Sequence, residues 1–138
     1  MRTLSQGQIA VGTDLPELSI DLTPTMVIST ALATMDFTPV HHDVAAARAQ
    51  GSQDIFVNIL TTMGLVERYV TDWTGPEVMI TAINVKLGVP AYAGDRLVFT
   101  GTVTAESGGE YTVEVRGRVS LGDHAVGTVR FRPPGESA

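Results

Sequence analysis

Residues 54–74 read DIFVNILTTMGLVERYVTDWT, and this stretch decides the fold. Phe56, Ile59, Leu60, Met63, Val66, Val70 and Trp73 recur at steps of three and four, the spacing of one face of an α-helix. Ser52 or Asp54 is suited to cap its start, and Gly75-Pro76 is a helix-stop pair. About twenty residues at helical rise make a rod about 30 Å long. Ile55, Val57 and Leu65 widen the apolar stripe beyond one face, which predicts a helix running from Asp54 to Thr74 and buried on most sides.

After Pro76 the apolar period changes to two. Val78–Leu87, Arg96–Thr104, Tyr111–Leu121 and His124–Phe131 have strand composition. In the third, Tyr111, Val113, Val115, Val119 and Leu121 face one way, and Glu114, Arg116 and Arg118 the other. Gly108-Gly109 and Gly122-Asp123 supply tight turns, so the last three strands are expected to form an antiparallel meander. Gly88–Asp95 is a longer, shaped connection. Upstream, Leu15–Leu22 reads as a first strand. Thr23-Pro24 is a cap followed by proline at the first helical position, opening a helix over Thr25–Met35. Val44–Gln50 is a short alanine-rich helix stopped by Gly51. Residues 1–14 and 133–138 are expected to be loose tails. With no internal repeat, residues 1–138 read as a single α+β domain. A sheet curled around the long helix is the packing that buries it, which is the hot-dog architecture.

The totals narrow the function. A formal charge of −6 without a basic block argues against nucleic acid and anionic membrane as partners. No apolar run reaches the roughly 18–20 residues of a membrane span. Gln6, Gln8, Thr13 and Asp14 break up any signal-peptide core, so a cytoplasmic location is expected. The absence of cysteine removes disulfides, thiolate nucleophiles and Cys-ligated zinc.

The chemistry concentrates in Asp36-Phe37-Thr38-Pro39-Val40-His41-His42-Asp43, which holds two of the three histidines. Pro39 lacks an N–H and pushes Thr38 towards extended geometry, so the stretch is a bent loop able to aim Asp36 and His41 into one cavity. Adding water to a polarised double bond needs a base and a positioned proton donor, and a carboxylate beside an imidazole provides both. The spacing alone equally allows Asp36 to cap a turn and His41 to lie on the surface. His42 is a candidate second proton carrier. Asp43 is better read as the cap of the following helix, and a metal site at His41 and His42 is not expected because no other ligand cluster exists. Asp123-His124 also joins acid to imidazole, in what reads as an ordinary glycine turn. Arg116, Arg118 and Arg130 lie on polar strand faces; a solvated face explains them, and contact with phosphates is the alternative.

Asp36-Phe37-Thr38-Pro39-Val40-His41 resembles the Asp-x-Asn-Pro-(Ile/Leu/Val)-His signature of the MaoC-like (R)-specific enoyl-CoA hydratases, with Thr38 where that family has asparagine. Gln50–Leu60, Gly64-Leu65-Val66, Tyr69–Trp73, Ile83–Val89 and Gly94-Asp95 are similar to a narrower group, the small subunit of actinobacterial steroid side-chain hydratases. The resemblance implies a hot-dog enoyl-CoA hydratase with Asp36 and His41 as its catalytic pair and Thr38, His42 and Asp43 in support. It implies backbone amides of Ile55 or Phe56 at the helix start, where relatives have a His-Gly pair, as donors to the thioester oxygen. It implies a steroid enoyl-CoA substrate and no cofactor beyond the substrate's own CoA. A second MaoC-like subunit in a heterodimer or heterotetramer, and a thiolase-like aldolase acting next, complete the expectation. A hot-dog acyl-CoA thioesterase and a non-catalytic subunit of a hydratase complex are the alternatives.

Overall fold

In the computed structural model, which describes residues 2–135, the chain runs through β1 (Leu18–Asp21), α1 (Pro24–Ala33), α2 (Val44–Ala49), α3 (Ile59–Thr74), β2 (Met79–Leu87), β3 (Arg96–Ser107), β4 (Glu110–Val119) and β5 (Gly122–Arg132). Residues 136–138 of the expected C-terminal tail lie outside the described residues. All strand pairs are antiparallel, in the order β1-β3-β4-β5-β2. The β3–β4–β5 meander predicted from the turns is present, and its first hairpin turns at Gly108 and Gly109, both at positive φ. The second turn falls at Ser120-Leu121 and not at Gly122-Asp123. Leu121 is consequently exposed, out of line with Tyr111, Val113, Val115 and Val119, because the chain has already left the strand.

Strand alternation puts Leu97, Phe99, Val103, Val113, Val115, Val129 and Phe131 on the inner face, all buried. Helix α3 lies across that face and contributes Thr61, Thr62, Leu65, Val66, Tyr69, Val70 and Thr74 to the core. One contact between them is aromatic. Tyr69 stacks on Phe99 with ring centroids 5.6 Å apart and planes at 21°. Glycines make room for these rings: a Cβ at Gly117 would lie 2.8 Å from Phe99 Cε1, and one at Gly101 3.0 Å from Tyr69 Cε1. Burial pushes the Tyr69 phenol up to about 12, with Asp14 and Glu17 adding to the effect.

Three expectations are corrected. Helix α3 begins at Ile59, not Asp54, and its cap is Asn58, whose Oδ1 accepts from Thr61 N at 3.3 Å. Residues 55–57 are instead extended and pair with the 88–95 connection: Val57 N donates to Ala91 O, and Ala93 N to Ile55 O. Burial is also one-sided. Ile59 and Leu60 are 57% and 55% exposed, and Glu67, Arg68 and Asp72 face solvent, because the sheet covers only one side of the helix. The N-terminal arm is not loose either. Leu4 N donates to Thr74 O, Gly12 N to Val103 O and Leu15 N to Gly101 O, while Ile9 and Leu15 are buried. No helix among the described residues is long and apolar enough to cross a membrane.

A Gly117→Val substitution should drive two methyl groups into the Phe99 ring. The expected loss is about 1–3 kcal/mol, as for other overpacked cores, read from urea or thermal unfolding.

Candidate active site

Helix α1 ends where the site begins. Thr34 is its C-cap, and the chain then passes through Met35 at φ 59, the left-handed turn that usually takes glycine. Met35 N donates to Leu32 O at 3.0 Å and Asp36 N to Ala31 O at 2.9 Å, the paired bonds of a Schellman turn. Asp36 is therefore the first residue past a closed helix end, and its backbone is fixed by that closure. Pro39 then opens a 3-10 turn over Pro39–His41 that swings His41 back under the carboxylate.

The two side chains meet: His41 Nε2 lies 3.4 Å from Asp36 Oδ2. His41 is buried, and its Nδ1 is 2.7 Å from Phe56 O, a carbonyl that can only accept. In the neutral imidazole the proton sits on Nδ1, and Nε2 presents a lone pair towards Asp36. The Phe56 ring supports the imidazole edge-on at 4.9 Å. Asp36 Oδ1 accepts from Thr38 Oγ1 at 2.7 Å and Thr38 N at 3.2 Å, and Oδ2 accepts from Asn58 Nδ2 at 3.2 Å. The Thr38 bonds, with smaller help from Asn58 and His41, hold this carboxyl below the ordinary aspartate value although burial opposes them. A carboxylate oxygen and an unprotonated ring nitrogen at this separation both seek a hydrogen. One water molecule is able to supply both.

Of the supporting residues, Thr38 donates to Asp36 Oδ1 from both its hydroxyl and its backbone N–H. His42 does not face the pair; it is exposed, with Nε2 3.2 Å from Phe37 O, and braces the loop. Asp43 caps α2 through Ala46 N at 3.1 Å, the bland reading of that residue. Ile55 and Phe56 are not at a helix start. The Ile55 N–H is held by Asp54 Oδ1 at 2.7 Å, and Phe56 turns its carbonyl to His41. Of the first-turn amides of α3, Thr61 N is taken by Asn58 Oδ1, which leaves those of Ile59 and Leu60 as the ones without a protein acceptor among the described residues. Asn58, buried and bonded to Asp36, is the site residue that sequence reasoning missed; an Asn three residues before Thr61 at the head of an apolar run was the available signal.

His124 is buried elsewhere. Its Nδ1 is 2.7 Å from Val89 O and its Nε2 2.8 Å from Thr62 Oγ1, so the neutral ring donates to the carbonyl and accepts from the hydroxyl. It ties β5 to α3 and to the connection after β2. Asp123 pairs with Arg116 at 3.6 Å and Arg118 at 3.4 Å, and Arg130 with Glu110 at 3.5 Å, which accounts for the strand-face arginines as exposed ion pairs. No group of three or more His, Cys, Asp or Glu suited to a metal occurs among the described residues.

A carboxylate–imidazole pair on a loop, set beside the start of a helix packed on the inner face of an antiparallel sheet, defines the class. The chain belongs to the MaoC like domain family, which it matches over residues 8–124. Over 121 residues it is 59% identical to the 3-oxo-4,17-pregnadiene-20-carboxyl-CoA hydratase beta subunit of Mycobacterium tuberculosis, spanning 88% of this chain and 94% of that one. The crystal structure of the ChsH1-ChsH2 complex from Mycobacterium tuberculosis holds a chain that is 56% identical, with a TM-score of 0.89 over 91% of this chain and 98% of that chain. The (R)-hydratase from A. caviae involved in PHA biosynthesis is 21% identical and shares the hot-dog fold, with a TM-score of 0.84 over 91% and 98% of the two chains.

Two titrations test the site and its surroundings. Thr38→Val should move the Asp36 carboxyl upward, towards the ordinary value of 3.8, in a carbon-detected NMR titration. His124 is held below its usual 6.5, chiefly by burial, so the unfolded chain binds the extra proton first. The stability tied to the neutral ring is complete above 6.5 and is lost as pH falls from there through the lower folded value. Thermal unfolding between pH 8 and 5 should show that decline, and His124→Gln should flatten it.

Proposed function

We propose that this chain is the catalytic subunit of a heteromeric enoyl-CoA hydratase, and that Asp36 and His41 activate the water. The observation that carries the reading is the 3.4 Å approach of Asp36 Oδ2 to His41 Nε2, with the imidazole tautomer set by the Phe56 carbonyl. Water held by both acceptors loses a proton as its oxygen attacks the β-carbon of the enoyl thioester. The pair returns a proton to the α-carbon, so one water is added across the double bond and nothing is left over. Negative charge develops on the thioester oxygen in between. The unpaired first-turn amides at Ile59 and Leu60, reinforced by the α3 dipole, are suited to receive it. They replace Ile55 and Phe56 as the proposed donors. No cofactor is required beyond the CoA carried by the substrate.

The substrate proposed is a steroid side-chain CoA thioester, on the strength of the 59% identical relative. Exposed Met35, Phe37, Ile59 and Leu60 give the mouth of the site an apolar rim that suits either a ring system or a partner surface. The ChsH1-ChsH2 relative supports a second, MaoC-like subunit as partner in a heterodimer or heterotetramer. If the double bond is the 17-ene of the relative's substrate, hydration places the hydroxyl on a ring carbon bonded to three other carbons. Such an alcohol cannot be oxidised to a ketone. Carbon–carbon cleavage by a thiolase-like aldolase is the consistent next step, and a cytoplasmic setting would suit it.

Asp36→Asn and His41→Ala should each lower hydration by about 10²–10⁴-fold in the reconstituted complex while leaving assembly intact. Loss of enone absorbance from a steroid enoyl-CoA is the readout, with released CoA thiol followed in parallel. Full activity in both variants, or thiol release in place of hydration, would overturn the proposal.

A further inference from the structure

Asn58 is 1% exposed and has every polar atom of its side chain engaged. Its Oδ1 accepts from the backbone N–H of Thr61 at 3.3 Å and from the Thr61 hydroxyl in a very short contact. Because a backbone N–H only donates, the helix cap forces the amide oxygen towards Thr61. The amide nitrogen must then point the opposite way, and there it meets Thr34 Oγ1 at 2.8 Å and Asp36 Oδ2 at 3.2 Å. Thr34 is a true acceptor at this point, since its own proton goes back to the Thr30 carbonyl at 2.8 Å. Neither N–H of the amide has a free choice of partner.

We propose that Asn58 is the positioning residue of the catalytic carboxylate: it caps α3 with its oxygen and, by that same bond, aims one N–H at Asp36 Oδ2, so that the oxygen's remaining lone pair faces His41 Nε2 and the water between them. One side chain thus joins the end of α1, the Asp36 loop and the beginning of α3. The catalytic half of the proposal rests on the hydration reading; the orientation of Asp36 does not. Around Asp36 the titratable neighbour is His41, on the 3-10 turn; Thr38 on the loop and Asn58 on α3 are its neutral partners.

The decisive variants separate the cap from the aim. Serine caps helices well, so Asn58→Ser should keep the melting temperature near that of the parent; Asn58→Asp also caps, but it buries a second carboxylate beside Asp36 and should melt lower while still folding. Asn58→Asp replaces the donor to Asp36 by a second carboxylate. It should raise the Asp36 titration seen by NMR, move the acid limb of the kcat/KM profile upward and lower kcat about 10–100-fold, with KM little changed. Asn58→Ser is too short to reach Asp36, so it should lower kcat in the same range without the added repulsion. An unmoved Asp36 titration in well-folded Asn58→Asp, or parental kcat in both variants, overturns the proposal. The titration needs no substrate. A parent protein without hydratase activity would therefore overturn the hydration reading alone, while a shifted Asp36 would still support the placement by Asn58.

Discussion

One helix has to cover the inner face of five strands, and most of the structure follows from that constraint. Face-to-face contact between Tyr69 and Phe99 brings α3 close to the sheet, and Gly101 and Gly117 remove the side chains that would hold it off. A helix seated this deeply fixes the height of its own N-terminus. The Asp36 loop is then built against that end, so the depth of an aromatic pair in the core sets where a carboxylate stands at the surface. The same arrangement leaves the far side of the helix uncovered. Ile59 and Leu60, which follow Asn58 in the chain, are exposed for that reason.

The site itself is an exercise in using up hydrogen-bond capacity. Oδ1 of Asp36 is saturated by Thr38, and Oδ2 shares itself between Asn58 and the space facing His41. On the imidazole, Nδ1 is spent on a carbonyl. What is left over is two lone pairs aimed at one point. The loop reaches this state with few charges, and mainly neutral donors hold the Asp36 carboxyl below its ordinary value.

Much of this was legible in the residues. Period-two alternation gave the strands, since strand faces are set by local geometry. Thr23-Pro24 gave the start of α1 and the proline loop gave the Asp36–His41 pair, both being short-range chemistry. The failures share a cause. Ile55-Phe56-Val57 is apolar enough to continue a helix, and only its pairing with Ala91 and Ala93, more than thirty residues away, makes it extended. Docking of the N-terminal arm on β3 and Thr74 is equally remote in sequence. A helix that starts at Asp54 places Asn58 in its interior and hides its capping role. Inside a helix an asparagine is unremarkable; at its first boundary the same residue becomes a bridge.

The Schellman turn at Met35 carries one more consequence. Helix α1 buries only Val27 and Ala31 of its ten residues, so its hold on the body of the protein is thin. Its last turn, with a methionine in a conformation better suited to glycine, is a natural place for local opening. Unwinding that single turn would release Asp36 while the sheet and α3 stayed intact. The placement of this carboxylate can thus be lost locally without loss of the fold.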